Sequence, residues 1–457
     1  MATAAERFAR FALELELDSV PADVIEAAKL HVLDVIGCGL AAHGLGIAGE
    51  GRAAMSELGG TAEASVIGIE TRLPAPNAAF ANAMLCHGLD FDDTHSESVA
   101  HVSTVVVPAA AALAEARGAS GRDLLAAIIA GNETVTRIGM ATPGAFHRRG
   151  FHPTAICGIF GAAAAAARLG GLDVEQATSA LGIVGSMASG LFAYLDDATA
   201  TKPIHPAWAA HGALIAARLA AHGAEGPPGV LEGRFGVFHA FVDTRIDLEP
   251  QLADLGSRWE TPRIAYKAFP ACHFIHGSLG ATGTLCEGLD PSEIEDVLVT
   301  VPEAGVSLVL EPVDLKIAPR SEYEGKFSLQ YSTAAMLVHG RVGLTTYTPE
   351  ALSDGRVLEL ARKVRYETKE YASYPAAFPG GVRIRLRDGR TVEADFPYQL
   401  GAPENPMSVE QVREKFHENA GLAGGSFDAL EEAILTLDEQ DDLHVVLSAL
   451  ACRPVAV

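Results

Sequence analysis

The sequence has no apolar run long enough to cross a bilayer. Its two longest low-charge stretches, 102–114 and 153–167, fall short of the roughly 20 residues that a span needs, so both are expected to be buried helices. Positive charge is scarce. The chain has 34 Lys and Arg against 58 Asp and Glu, a formal net charge of −24. That balance argues against nucleic acid and against anionic membranes as partners. It leaves room for a small anionic substrate, because a local basic cluster can outweigh the global field. Cysteines are few and scattered. Cys38, Cys86, Cys157, Cys272, Cys286 and Cys452 include no C-x-x-C pair. This fits small core residues in a reducing compartment and neither a disulfide framework nor a structural zinc site. The G-x-S-x-G elbow, the P-loop and the Rossmann glycine fingerprint are all missing, which removes three common ways of binding nucleotides or hydrolysing esters. The first twenty residues carry charges throughout and no apolar h-region, so no secretory signal and a cytoplasmic location are expected.

The chain has 457 residues, of which 49% are hydrophobic. That length suggests two or three domains with a large core. Up to about residue 225 the pattern reads as helix after helix, rich in Ala and Gly, with little period-two alternation. "SVPADVIEAAKL" places a Ser and a Pro before an amphipathic run, a capped start. The Gly/Pro-rich segment 222–238 marks a change of character. Beyond it, 295–303 reads as a strand, and "GGVRIRLRDGRTVEADF" as a hairpin turning at Asp388-Gly389. "GKFSLQYSTAAMLVHG" and "TPEALSDGRVLELARKV" read as helices between them. The expected fold is mostly α. A large all-helical domain, 1–262 completed by 398–457, is joined to a smaller α+β lid domain, 263–397.

Chemistry-bearing residues gather in four places. "HGLDFDDTHSESVAH", residues 87–101, puts four carboxylates and three histidines between two apolar segments. A helix over 84–94 would set His87, Asp90, Phe91 and Thr94 on one face. It would send Asp92 elsewhere. A metal site, an acid–base site and a solvated capping loop all remain open readings. The metal reading rests on Asp90, Asp92 and His95, without an H-E-x-x-H or H-x-H pattern. His152 precedes a long Ala-rich helix, where anions bind. Lys202 and His205 flank prolines at the start of another helix, and Lys267, His273 and His276 stand near the start of the second domain. Each of these is also explicable as a structural residue. Together they supply carboxylates, imidazoles and lysines, the set needed to move a proton next to a carboxylate while cations hold the substrate's other carboxylates.

Five stretches in order, "NAMLCHGLDFDDTH", "GFHPTAICGIFGAAAAAARLGGLD", "TKPIHPAWAAHGALIAARLAAHG", "YKAFPACHFIHG" and "EGKFSLQYSTAAML", resemble the MmgE/PrpD family. Its activities include 2-methylcitrate dehydration, cis-aconitate decarboxylation and iminodisuccinate epimerisation. The resemblance implies a helical domain plus an α+β lid, a homodimer, and chemistry without metal or organic cofactor. It implies that Asp90, Thr94, His101, His152, Lys202 and His276 act in catalysis, with Lys267 just upstream of the last; Lys267, His205 and His273 are expected to bind substrate. The expected function is a lyase on a small polycarboxylate, first of all a 2-methylcitrate-type dehydratase. An epimerase, a cis-aconitate-type decarboxylase, a metal-dependent hydrolase and a non-catalytic polycarboxylate-binding protein are the alternatives. Ser96 and Glu97 sit in a stretch where family members differ. Asp196 and Asp197, before Lys202, are unfavourable neighbours for a tricarboxylate.

Overall fold

Alanine and glycine decide how closely the helices approach. In the computed structural model, which describes residues 2–196 and 199–451, the Pro153–Leu169 helix packs against Gly121–Met140, Ser103–Arg117 and Ile204–Ala221. A Cβ at Gly161 would lie 2.3 Å from Val135 Cγ2 and 2.5 Å from the Gly131 carbonyl oxygen. The two backbones touch there, and no side chain fits. Gly161→Val is therefore expected to lower the unfolding free energy by about 2–3 kcal/mol through overpacking. Urea unfolding reads the shift, and an unchanged midpoint would contradict this account of the crossing.

Some of the helices begin where the sequence offers caps. Ser120 with Asp123, Asp173 with Gln176 and Ser408 with Gln411 form capping boxes at the starts of Gly121–Met140, Val174–Val184 and Val409–Gly421. Ser19 does not cap. Its hydroxyl donates to the Glu16 carbonyl, and Ala22–Gly44 starts after Pro21 without a side-chain cap. Both low-charge stretches are buried helices, as expected. No single helix among the described residues is long and apolar enough to cross a membrane. Ala22–Gly44 and Gly49–Leu58 meet the length and apolarity of a span only as a pair, bent by 89°.

The chain forms two compact units, Met1–Ile264 with Ser408–Val457, and Ala265–Met407. The first is helical apart from one short antiparallel pair, β1 (Ala64–Val66) and β2 (Ile69–Leu73). Those strands are too short to show an alternation in sequence. Ten residues after 397 belong with the second unit. Tyr266 N–H donates to the Gly401 carbonyl, and Gly401 has φ +93° where a Cβ would strike the Tyr266 carbonyl.

The second unit holds a four-stranded sheet in the order β4-β3-β5-β6. Its strands are β3 (Ile294–Val301), β4 (Val364–Thr368), β5 (Gly380–Leu386) and β6 (Thr391–Phe396). β5 and β6 are the expected hairpin around Asp388-Gly389. The helix expected over 348–364 is shorter, Gly355–Ala361, and β4, which was not expected, follows it. The helix stops at Ala361, and Val364–Thr368 pairs parallel with β3. Helices His273–Leu285 and Leu329–His339 cover a core that includes Ile275, Leu279, Val297, Val299, Ala335 and Ile384. Cys38, Cys86 and Cys157 are buried, and Cys272 and Cys286 half-buried. Cys452 lies outside the described residues.

Candidate active site

The helix that carries His87 ends at His87 itself, so 84–94 is not one helix. Gly88 follows close under Ala48, and Asp90 takes φ +53°. Asp tolerates this left-handed conformation better than most residues. The chain then folds through a turn to a bridge between His95 and Ala100, and helix Ser103–Arg117 begins. Asp93 caps that helix by accepting from Ser103 N–H, and its other oxygen lies 2.8 Å from His31 Nδ1. Asp93 thus leaves its neighbours Asp90 and Asp92, which stand on either side of His101.

Asp92 turns inward, against expectation. It is fully buried, takes His87 Nδ1–H at 2.8 Å, and lies 3.0 Å from His101 Nδ1. Thr94 Oγ1 is 3.3 Å from the same His101 nitrogen. On its far side, His101 Nε2 lies 3.6 Å from Asp90 Oδ1, and Asp90 accepts from Lys202 Nζ at 2.8 Å. The His101 backbone N–H donates to Thr154 Oγ1, which ties this strand of the site to the Pro153–Leu169 helix. His152 caps that helix by position, and its Nδ1 lies 3.1 Å from His205 Nδ1 at the start of Ile204–Ala221. Within the first unit the fold therefore brings Asp90, Thr94, His101, His152, Lys202 and His205 together. It adds His87 and Asp92, which sequence reasoning left out of the site.

The charges are arranged unevenly. Burial works against the Asp92 carboxylate, yet the His101 and His87 imidazoles hold it well below the usual carboxylate range. Burial first, then Lys202 and the neighbouring imidazoles, pushes His152 well below an ordinary histidine. Burial, His87 and Lys202 push His205 down to about 4. His152 and His205 are thus neutral at pH 7, while His101 is flanked by two carboxylates. An imidazole so placed is the group in the cluster suited to holding and passing a proton.

His95 serves elsewhere. It is buried, with Nδ1 3.0 Å from Ser98 Oγ and Nε2 3.3 Å from Glu260 Oε2. The metal trio of Asp90, Asp92 and His95 is therefore not assembled, and His95 belongs to the core rather than to a specificity loop. Glu97 pairs with Arg263 at 3.1 Å. Asp196 is exposed, and Asp197 lies outside the described residues. Two other groupings have the composition of a metal site, His87 with His101 and His152, and Asp90 with Asp92 and His101. In each, the donor atoms lie within 4.8 Å of one another. In the second, Lys202 already places a cation on Asp90, and Asp92 is committed to two imidazoles. In the first, the three histidines form an all-imidazole set that suits zinc-like ions.

Burial pushes His95 down to about 4. The unfolded chain takes this proton near pH 6.5 and the folded chain only near 4, so His95 makes folding less favourable as pH falls through that window. The expected loss is on the order of 3 kcal/mol. Comparing wild type with His95→Gln isolates it. Their difference in unfolding free energy should shift by that amount between pH 7 and 4, and a constant difference would rule it out.

In the second unit, Lys267 is 2% exposed and His276 fully buried. His276 Nε2 lies 3.2 Å from the Ala271 carbonyl, and its ring packs edge-on to His273 at 4.6 Å. His273 stacks on Phe378 at 4.8 Å. These three residues gather around the start of the His273–Leu285 helix, with Lys267 just upstream of it.

Residues 6–249 match the MmgE/PrpD N-terminal domain, and residues 269–440 match the MmgE/PrpD C-terminal domain. Human cis-aconitate decarboxylase is 30% identical over 468 residues, covering 97% of this chain and 94% of the relative. Cis-aconitate decarboxylase-like protein oryM of Aspergillus oryzae is 29% identical over 461 residues, with 96% and 95% covered. Cis-aconitate decarboxylase of Aspergillus terreus is 28% identical over 470 residues, with 97% and 94% covered. With both domain matches in order along one chain, this protein belongs to the MmgE/PrpD family.

Proposed function

We propose that the chain is a lyase of small polycarboxylates, and that its reaction is the decarboxylation of a cis-aconitate-like unsaturated tricarboxylate. The observation that carries this is His101, held at Nδ1 by Asp92 and facing, at Nε2, the Asp90 carboxylate to which Lys202 is bonded. Lys202 would exchange part of its pairing with Asp90 for a substrate carboxylate. His101 would deliver a proton from Nε2 to the substrate carbon. The electron pair of the old double bond takes that proton. The pair of the breaking carbon–carboxylate bond forms the new double bond, and carbon dioxide leaves. One proton enters and nothing is oxidised. The curated relatives support decarboxylation over the 2-methylcitrate-type dehydration to which the sequence first points.

A proton-NMR screen of di- and tricarboxylates in heavy water tests the reading. Loss of carbon dioxide, with one deuteron in the product alkene, is expected with cis-aconitate. Water elimination from a hydroxy acid would replace decarboxylation by dehydration. Deuterium exchange alone would point to an epimerase. No change in any polycarboxylate would overturn the lyase reading altogether. Turnover is expected to survive exhaustive chelation, because proton transfer and cation binding are supplied by His101 and Lys202. Activity lost to chelation and restored by zinc would favour the hydrolase-like metal chemistry of the His87, His101 and His152 set. A homodimer is part of the same proposal, tested by sedimentation. Lys267, His273 and His276 keep the roles the resemblance implies as separate proposals, each tested by substitution in the same assay.

A further inference from the structure

Phe91 sits between Asp90 and Asp92, and its backbone is held from behind. Its carbonyl accepts from Lys415 Nζ at 2.8 Å, across 324 residues of chain. The same ammonium lies 3.9 Å from the centre of the Phe91 ring. It lies 2.7 Å from Asp34 Oδ1, and Asp34 is fully buried. Lys415 comes from the Val409–Gly421 helix and Asp34 from Ala22–Gly44. The two helices are locked closely. A Cβ at Gly37 would lie 3.0 Å from Phe416 Cδ2, and one at Gly44 would lie 2.1 Å from the Leu422 carbonyl oxygen. One turn before Asp34, His31 holds Asp93 at 2.8 Å.

A buried ion pair is a costly way to join two helices, since apolar residues of similar volume often serve as well or better. Here the ammonium also bonds the carbonyl of Phe91, the residue between the two site carboxylates. Asp90 is also in the left-handed region, a conformation that surrounding structure must enforce. We infer that Lys415 and Asp34 are positioning residues. They clamp the Phe91 peptide and so fix the angle between the Asp90 and Asp92 carboxylates on either side of His101. This rests on the proposed site, not on the identity of its substrate.

The test compares Lys415→Met with the double variant Lys415→Met/Asp34→Asn. The single variant leaves a buried carboxylate unpaired and is expected to melt at lower temperature. The double variant removes both charges at similar volume and is expected to melt near the parent. Its kcat should nevertheless fall on the order of 10- to 100-fold, with KM changed by less than about threefold and the pH–rate profile displaced. A second readout does not need turnover. The downfield imidazole N–H resonances of His87 and His101, both at Asp92, should move in the double variant. A double variant with parental kcat, pH profile and resonances would overturn the inference, because the pair would then be structural only. Should the wild type prove inert toward every polycarboxylate, the proposed reaction fails. The resonances alone then decide the clamp, shifted in its favour and unshifted against it.

Discussion

Asp92→Asn is expected to lower kcat by roughly 10³- to 10⁴-fold while the protein stays folded. The carboxylate takes His87 Nδ1–H at 2.8 Å and lies 3.0 Å from His101 Nδ1. As an ionised group it can accept from both imidazoles at once. An asparagine offers one oxygen and one NH2. Both rings meet the same oxygen, Oδ2. An NH2 in that place would face both Nδ1 atoms and force their protons onto Nε2, while a carbonyl oxygen there keeps the bonds without the charge. Either way His101 loses the counter-charge that stabilises its protonated form. The loss falls on the proton-transfer step, so kcat should carry it and KM should move little. Steady-state decarboxylation of cis-aconitate, with circular dichroism as the control for folding, reads the effect. A variant within tenfold of wild-type kcat would mean that Asp92 only holds the turn, as the sequence suggests.

That contrast shows where sequence reasoning reaches and where it stops. The segment 87–101 stood out because carboxylates and histidines are dense there between two apolar helices, and burial of such groups demands partners. Helical spacing singled out Asp90 and Thr94, and both do flank His101, but not for that reason. The helix ends at His87, and a left-handed turn at Asp90 brings them there. In a turn no period says which side chain faces inward, so Asp92 could not be separated from Asp93. The partners were beyond reach for a different reason. Lys202 is 112 residues from Asp90, His205 is 53 from His152, and Lys415 is 324 from Phe91. Only tertiary packing brings them near. The hairpin at Asp388-Gly389 was legible because turn chemistry and alternation agree. β4 was not, because five residues after a helix leave no room for a pattern. The capped start read at Ser19 failed, because no Asp, Glu or Gln stands three residues on and the hydroxyl bonds to its own turn.

Lys202→Met is expected to lower kcat/KM by about 30- to 5,000-fold, the equivalent of roughly 2–5 kcal/mol for truncating one member of a buried charge pair. Lys202 Nζ lies 2.8 Å from Asp90 Oδ1, and both side chains are about nine-tenths buried. Without the ammonium, the Asp90 carboxylate repels an approaching carboxylate more strongly, so the loss has two parts. One attraction disappears, and one repulsion is exposed. Binding and turnover should both suffer, which separates this variant from Asp92→Asn, where kcat carries the loss. Lys202→Arg should recover only part of the activity, because a planar guanidinium cannot sit as a point charge at the same spot. Raising the salt concentration should do little to the wild type, since the pair is shielded from bulk ions. Measuring kcat and KM separately for cis-aconitate and for a matching dicarboxylate checks the assignment. If Lys202 binds a substrate carboxylate, the variant loses much more with the tricarboxylate than with the dicarboxylate. Equal losses on both would place Lys202 in the scaffold of the Asp90 turn and leave substrate binding to other groups.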